Sequence, residues 1–451
     1  MGDNIDPKPF YISLSLFNKM KYLPIQEALD KKGKVVIRGW VHRIRKLKNN
    51  VFIVLRDSSN IVQCIVKDPE LVKIADKLLV ESSLEIEGKI YTEKRSPTGF
   101  EVEVDKLNVV HLAEDFPIGK DQSPEFLLDN RHLWLRSRRM TAILKIRSTV
   151  FGAIHEYYRG KGFYEHQSPT LLGAAGESGS SVFEVDYFGK KMYLAQTWQL
   201  HAEATMFALE KIYTVAPSFR AEKSSTSRHL TEYWHAEMEV AWCKFEELQN
   251  YAEEVMKAIV KKVLKENKAE LELLERDTKT LEATAKKEFP RITYTDALDI
   301  LKKRCNMHVS WGKDLRTIEE DKLSKLYDTP IIITDYPKKV KAFYMKESPD
   351  TIDKPEDKKT VQGFDVIGPE GYGELFGASQ REENIEVIKE NLVREGEDLK
   401  KYEFYFDTRR YGSIPHGGFG MGVERVISWI CGLDNIKDAI AFPRTMTRTS
   451  P

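Results

Sequence analysis

Between residues 35 and 104 apolar and polar positions alternate with the two-residue period of half-buried strands. Five short β-branched runs, 35–41, 51–55, 61–66, 83–90 and 100–104, carry the pattern. Asp57-Ser58-Ser59-Asn60 and Ser96-Pro97-Thr98-Gly99 supply turns between them. A stretch with helical spacing near 69–79 separates the third run from the fourth. Five strands with a helix after the third predict an OB-type β-barrel, whose strand faces commonly hold single-stranded nucleic acid. From residue 141 the texture changes to longer elements. Helices are predicted over 143–161 and 245–264, the second with Leu248, Tyr251, Val255, Ile259 and Val263 on one face. The charge-rich stretch 265–287 reads as a solvated helix. Strand-like runs recur at 213–219, 234–242, 330–334, 363–367 and 401–406, and a glycine cluster precedes a last helix over 423–432. The reading is an α+β multidomain chain: a lead-in over 1–33, a five-stranded barrel over 34–112, a polar hinge over 113–140 and a mixed α/β domain over 141–451.

Composition narrows the class without choosing a function. The 451 residues carry 70 Lys+Arg against 70 Asp+Glu, with 41% apolar and 31% charged residues, which excludes collagen-like, disordered and membrane-bundle chains. No apolar run reaches the roughly 18–20 residues that span a bilayer, and no signal-peptide core is present, so no membrane role is expected. The four cysteines lie far apart without a C-x-x-C pair, which argues against a zinc site or disulfide framework and for a reduced, cytoplasmic setting. Zero net charge leaves a nucleic-acid partner open, because local patches set the attraction.

Two stretches carry candidate chemistry. In Phe219-Arg220-Ala221-Glu222, followed by a polar loop over 223–227, Arg228-His229 and Tyr233, a strand would set Arg220 and Glu222 on one face. Arginine can brace a phosphate by paired hydrogen bonds, glutamate can accept from an exocyclic amine, and tyrosine can stack on a base. A surface hairpin with charges two apart has the same spelling. Gly417-Gly418-Phe419-Gly420-Met421-Gly422-Val423-Glu424-Arg425 lets a backbone approach a ligand closely, and Arg425 adds a cation. A bulged strand entering a helix would look alike. The run lacks the ending of a P-loop and the context of a dinucleotide fingerprint.

Taken in order, a helix-then-strand ending at Pro169, the Arg220 stretch and the glycine-Glu-Arg stretch resemble motifs one, two and three of the class II aminoacyl-tRNA synthetases. Gly39-Trp40-Val41-His42-Arg43, Phe52-Ile53-Val54-Leu55-Arg56-Asp57 and Ile61-Val62-Gln63 resemble the anticodon-binding OB domain of the Asp/Asn/Lys subgroup. Asp129-Asn130-Arg131-His132-Leu133-Trp134-Leu135-Arg136 resembles its hinge. Tyr411-Gly412-Ser413-Ile414-Pro415-His416-Gly417-Gly418 and Ala441-Phe442-Pro443-Arg444 resemble its C-terminal end. The resemblance implies a catalytic domain around an antiparallel sheet, a homodimer through motif one near 141–169, ATP as substrate, Mg2+, and a tRNA partner.

It also implies roles. Arg220 and Arg425 are the expected catalytic residues, Arg220 at the α-phosphate and substrate carboxylate. Glu222 and Tyr233 would hold adenine, with Gly422 in the ATP-binding glycine run, and Arg228, His229 and Arg425 the β- and γ-phosphates. Glu374 is the first magnesium candidate and Glu239 the second, oxygen donors of the kind magnesium prefers. Glu177 and Gln199 would orient the α-ammonium group. In the barrel, Phe52 would stack on an anticodon base and Gln63 would read the edge of the central uridine, with Arg43, Arg45, Lys46 and Lys48 along the stem phosphates. His416 reads as a structural histidine at least as readily as a functional one.

The substrate side chain is expected to be that of L-asparagine, and the tRNA to be tRNA(Asn). Aspartate-charging relatives carry a Lys three residues after the second Gln of a Gln-Ser-Pro-Gln segment. Here the segment is Gln196-Thr197-Trp198-Gln199, and Ala202 takes the Lys position. Glu237 stands where those relatives put Asp, and would accept from an amide NH2 while repelling a second carboxylate. Arg381 can donate to the amide oxygen, and Gly377 replaces a Ser that often helps ligate magnesium. The chain departs from the pattern at Ser225 and Ser227, where relatives frequently have Arg, and at Tyr233, which replaces Phe. It departs again at Trp198, where Gly or Pro is usual, and at 445–448. The alternatives are an aspartate-charging member, including one that serves both tRNAs, and an amide ligase making free asparagine. Such ligases lack the barrel that residues 34–106 spell.

Overall fold

The computed structural model describes residues 21–173, 182–221 and 227–451. They divide into two compact units, one up to residue 127 and one from 128 on, the boundary falling within the helix Pro124–Asp129.

In the first unit α1 (Ile25–Lys31) leads into β1 (Gly33–Lys46), β2 (Val51–Arg56), β3 (Ile61–Val66), α2 (Pro69–Ala75), β4 (Ser83–Thr92) and β5 (Phe100–His111). The five strands close in the order β1-β2-β3-β5-β4, with β3 and β5 parallel. Alternation does the sorting. Val51, Ile53 and Leu55 on β2 and Val62, Cys64 and Val66 on β3 are buried inside, so Phe52 and Gln63 stand outside. Asp68 caps α2 by accepting from the Glu70 and Leu71 amides, and Pro69 occupies the first helical position. Each predicted strand is present; β1 and β5 run further than their hydropathy suggests.

The second unit begins within α3 (Pro124–Asp129) and holds α4 (Arg131–Trp134), α5 (Arg138–Gly160), β6 (Tyr164–Glu165), β7 (Leu171–Leu172), β8 (Glu184–Tyr187), β9 (Lys190–Leu194) and α6 (Gln199–Leu209). It continues with β10 (Lys211–Phe219), β11 (Glu232–Ala241), α7 (Phe245–Glu266), α8 (Lys268–Leu273), α9 (Lys279–Lys286), β12 (Arg291–Thr293), α10 (Tyr294–Cys305), α11 (Thr317–Ser324) and β13 (Ile331–Thr334). It ends with β14 (Gly363–Gly368), β15 (Gly373–Gln380), α12 (Ile385–Arg394), α13 (Glu403–Arg410), β16 (His416–Gly422) and α14 (Val423–Cys431). An eight-stranded sheet runs β12-β13-β14-β15-β16-β11-β10-β6, antiparallel except for the pairings of the two end strands. One face is apolar: Ala236, Met238, Phe376, Ala378, Phe419 and Met421 pack with Ile143, Val150, Ile154, Leu248, Val255, Ile259, Ile427 and Trp429 of α5, α7 and α14. The opposite face therefore presents Tyr233, His235, Glu237 and Glu239 of β11, two residues apart.

Four expectations change. The stretch 265–287 is two short helices rather than one solvated helix, because Leu271, Leu281, Thr284 and Ala285 are buried. Residues 401–406 are helical, not a strand: Tyr402, Tyr405, Phe406 and Arg409 recur at three to four residues and are buried together. The glycine cluster is itself a strand, β16. The run after α5 pairs only through Tyr164 and Glu165, short of Pro169.

Candidate functional site

β16 lies between β11 and β15, with Glu237 opposite Gly420 and Glu239 opposite Gly418. Phe419 and Met421 point into the core, so the glycines at 418, 420 and 422 leave the other face bare. A Cβ on Gly420 would lie 2.3 Å from His235 Nε2, and one on Gly418 2.3 Å from the Met238 carbonyl oxygen. The alternating glycines are thus a strand with every second side chain removed, and the neighbours' polar groups fill the space.

Two cavities open on this face. One is lined by Arg220, Arg228, His229, Tyr233, Glu374, Gly422 and Arg425, seven residues singled out from the sequence. The other is lined by Gln199, Arg220, Glu237, Glu374 and Arg381, together with Thr197, Lys341, Tyr344 and Asp365. Arg220, His235, Glu374 and Gly420 border both. Arg220 sits just past the end of β10, its amide bonded to the Thr231 carbonyl at 3.0 Å and its guanidinium 5.7 Å from the Tyr233 ring centre. Arg425, in the first turn of α14, donates to the Glu374 carbonyl oxygen at 2.8 Å and stands 3.5 Å from its carboxylate. Burial pushes the Glu374 carboxyl up, but Arg425, Lys341, Arg220 and His235 outweigh it and hold the group below its ordinary range. Arg228, expected at phosphates, is paired with Asp321 at 2.6 Å and also donates to the Gly371 carbonyl. Glu222 and Glu177 lie outside the described residues.

At the far end of the second cavity Glu237 is buried but anchored. It accepts from the Thr197 hydroxyl and from the Trp198 amide at 2.9 Å, and His235 Nδ1 is 3.4 Å away. Burial raises this carboxyl; the His235 charge and those hydrogen bonds bring it net below the ordinary value. Arg381 donates through Nη1 to Ser379 at 2.8 Å and through Nε and Nη2 to Glu239. This corrects the second magnesium candidate. Both oxygens of Glu239 are committed to Arg381, and burial, opposed by Arg381 and reinforced by Glu203, pushes its carboxyl up to about 7. Ala202 also lies elsewhere: it is fully buried with Trp198, Met206, Ile212 and Ala241. The helical period turns Gln199 and Glu203, one turn apart, toward the cavity's base. Trp198 belongs to the same apolar cluster and donates to the His166 carbonyl at 3.0 Å. His416 is structural, bonded to the Ile414 carbonyl at 2.7 Å and to Glu203 at 3.1 Å.

Sequence reading missed His235, although it shares the two-residue period of Tyr233 and Glu237. It also missed Glu320, which accepts from the Glu374 amide at 3.3 Å and whose carboxyl burial, Glu374 and Asp365 push up to about 8. Among the described residues no group of three or more His, Cys, Asp or Glu side chains converges as a metal cluster.

On the barrel, Arg43 pairs with Val54 and Arg45 with Phe52, while Gln63 lies opposite Val54, so these residues share one outer face. The Arg45 guanidinium is 4.6 Å from the Phe52 ring centre. Gln63 donates from Nε2 to Ser96 Oγ at 3.1 Å and to Glu101, a residue the sequence reading passed over. Both amide hydrogens are then spent, and the carbonyl oxygen is the end left to meet a donor on a base edge.

Comparison with known proteins gives the same picture over nearly the whole chain. A model of class II tRNA synthetases (D, K and N) matches residues 123–446, and one of OB-fold nucleic acid binding domains matches 35–110. Asparagine--tRNA ligase of Thermoplasma acidophilum is 45% identical, over 93% of this chain and 97% of its own. That of Symbiobacterium thermophilum is 41% identical, over 96% and 100%. The solved asparaginyl-tRNA synthetase of Pyrococcus horikoshii, complexed with asparaginyl-adenylate, superposes with a TM-score of 0.90 at 41% identity, covering 96% of this chain and all of that one.

Proposed function

The chain belongs to the class II tRNA synthetases of the D, K and N type, and from that membership we infer how its site works. The enzyme is an asparagine--tRNA ligase: it activates L-asparagine with ATP to asparaginyl-adenylate and transfers the acyl group to the 3′ end of tRNA(Asn). The aspartate-charging and free-asparagine alternatives are not favoured.

The asparagine α-carboxylate is already ionised near neutral pH and attacks the α-phosphorus without a general base. Positioning and charge neutralisation do the work. Arg220, at the junction of the two cavities, binds the α-phosphate and the incoming carboxylate together. Tyr233 stacks on adenine with Glu222 at its amine; Arg228, His229 and Arg425 take the β- and γ-phosphates beside Gly422. Arg228 exchanges Asp321 for phosphate when ATP arrives. Gln199 and Glu177 receive the α-ammonium group. Glu374 fits a magnesium ligand: nearby cations hold its carboxyl below its ordinary range, and it faces the second cavity over Gly377, whose missing side chain leaves room for the carboxylate, since a Cβ there would be 3.3 Å from Oε1. When bound beside Glu374, magnesium would neutralise phosphate charge.

The observation that carries the amide reading is the pairing at the far end of the second cavity. Glu237 is held as an anion, and the Arg381 charge is already taken by Glu239. That surface accepts from NH2 and donates to a carbonyl oxygen, while the Arg381 cation that a second carboxylate would meet already has Glu239 as its counter-ion. The barrel, proposed as residues 34–112, reads the anticodon through Phe52, Gln63, Arg43 and Arg45. The 141–451 domain carries the chemistry as a homodimer built on α5, in the cytoplasm. No helix among the described residues is long and apolar enough to cross a membrane.

ATP–pyrophosphate exchange with asparagine and aspartate supplied separately tests the reading. Exchange is expected with asparagine and not with aspartate, and Arg220→Ala abolishes it; equal exchange with both amino acids would refute the amide assignment.

A further inference from the structure

Beneath the amino-acid cavity lies a carboxylate that the mechanism above does not use. Glu203, one turn along α6 from Gln199, is completely buried. Its four partners come from three elements: Gln199 Nε2 of α6 at 2.8 Å, Tyr405 Oη at 2.9 and 3.0 Å and Arg409 Nη2 at 2.6 Å of α13, and His416 Nε2 of β16 at 3.1 Å. Arg381 Nε is 3.9 Å from Oε1. Arg381, the group that meets the substrate amide, therefore lies between two carboxylates, Glu239 in direct contact and Glu203 just beyond it.

A buried carboxylate is costly unless paired, and Arg409 with its hydrogen-bond partners holds this one. Two consequences reach the cavity. Glu203 only accepts, so the Gln199 amide must turn its NH2 inward and leave Oε1 to the cavity, where an ammonium group donates. The charge of Glu203 also lowers the positive potential around Arg381 at short range in a poorly screened interior. An aspartate side chain meets a cation paired with Glu239 and further weakened by Glu203 at 3.9 Å, whereas an amide needs only the N–H donors.

We propose that Glu203, never touching substrate, is a specificity-determining positioning residue that makes the Arg381 end of the pocket electrically unfavourable to aspartate. The proposal rests on the asparagine reading above and sharpens it. Its mark is a sign reversal between its two sides. Removing the carboxylate leaves Arg409 uncompensated and favours an anion, while removing Arg409 leaves the carboxylate uncompensated and disfavours one. A purely structural network would weaken both amino acids alike.

The test uses the full-length enzyme, asparagine-dependent ATP–pyrophosphate exchange, and aspartate as a competitive inhibitor. Wild-type exchange with asparagine is the control for the functional reading; its absence would overturn that reading, and the proposal with it. In Glu203→Gln the ratio of aspartate Ki to asparagine KM is expected to fall at least tenfold, with KM for ATP within twofold of wild type. In Arg409→Gln the same ratio is expected to rise at least threefold, and this variant alone carries the test if Glu203→Gln does not fold. Ratios unchanged from wild type, or moved in the same direction by both substitutions, would overturn the proposal.

Discussion

The carboxylates of the two cavities are sorted by their neighbours rather than by depth. Glu237 is buried and the Glu374 side chain is 41% exposed, yet in both nearby cations outweigh desolvation and hold the carboxyl below its ordinary range. Glu320 and Asp365 are pushed up, to about 8 and about 6, first by burial and then by neighbouring carboxylates, with Lys341 opposing the rise at Asp365. The difference has a measurable sign. Glu237 has a folded pKa below its unfolded value, so its contribution to stability is complete above about 4.5 and is lost as the pH falls further. Melting curves recorded from about pH 6 to about pH 3 should show the Tm of wild type dropping more steeply than that of Glu237→Gln. Parallel curves would mean that the carboxylate is not held as described. Residues that the family resemblance singles out, Arg220, Tyr233, Glu374, Arg381 and Arg425, all line one or other of the two adjoining cavities. The places of Glu239 and Ala202 were not legible, because sequence distance does not say whether a side chain faces the cavity, a counter-ion or an apolar cluster.

Strands and helices succeed or fail in the sequence according to how much side chain marks their period. The barrel strands carry β-branched residues at every second position and were read closely. β16 carries only Phe419 and Met421 between glycines, so hydropathy could not distinguish it from a loop, although its glycines set the floor of the site. Helix α13 was misread because Tyr402, Tyr405 and Phe406 resemble a strand until Arg409 completes the helical face. Restoring a side chain to β16 should therefore be costly. Gly418→Ala, whose Cβ would meet the Met238 carbonyl oxygen and the Glu239 carboxylate at 2.3 Å, is expected to destabilise the protein by about 2–3 kcal/mol. Denaturant titration checks this, and a loss below about 0.5 kcal/mol would show that β16 and β11 can separate at no real cost.

Over the molecule as a whole, the proposed substrate site and the proposed anticodon-reading face fall on separate compact units, and they should fail separately. Phe52→Ala is expected to raise KM for tRNA by about 5- to 150-fold, the equivalent of about 1–3 kcal/mol of base stacking. Exchange measured without tRNA should stay at the wild-type rate. A variant that loses both activities would contradict the division of labour. The alternation on β2 and β3 adds something of a different kind. Each of these two strands carries two messages, an inward one written in Val51, Ile53, Val62 and Cys64 for folding, and an outward one, Phe52 and Gln63, proposed for decoding. Because the closed barrel leaves no edge to protect, an outward position such as Phe52 can be rewritten without disturbing the inward message, whereas Gln63 is tied to the buried Ser96 and Glu101. Lineages could in this way revise which triplet an enzyme answers to while inheriting its architecture unchanged.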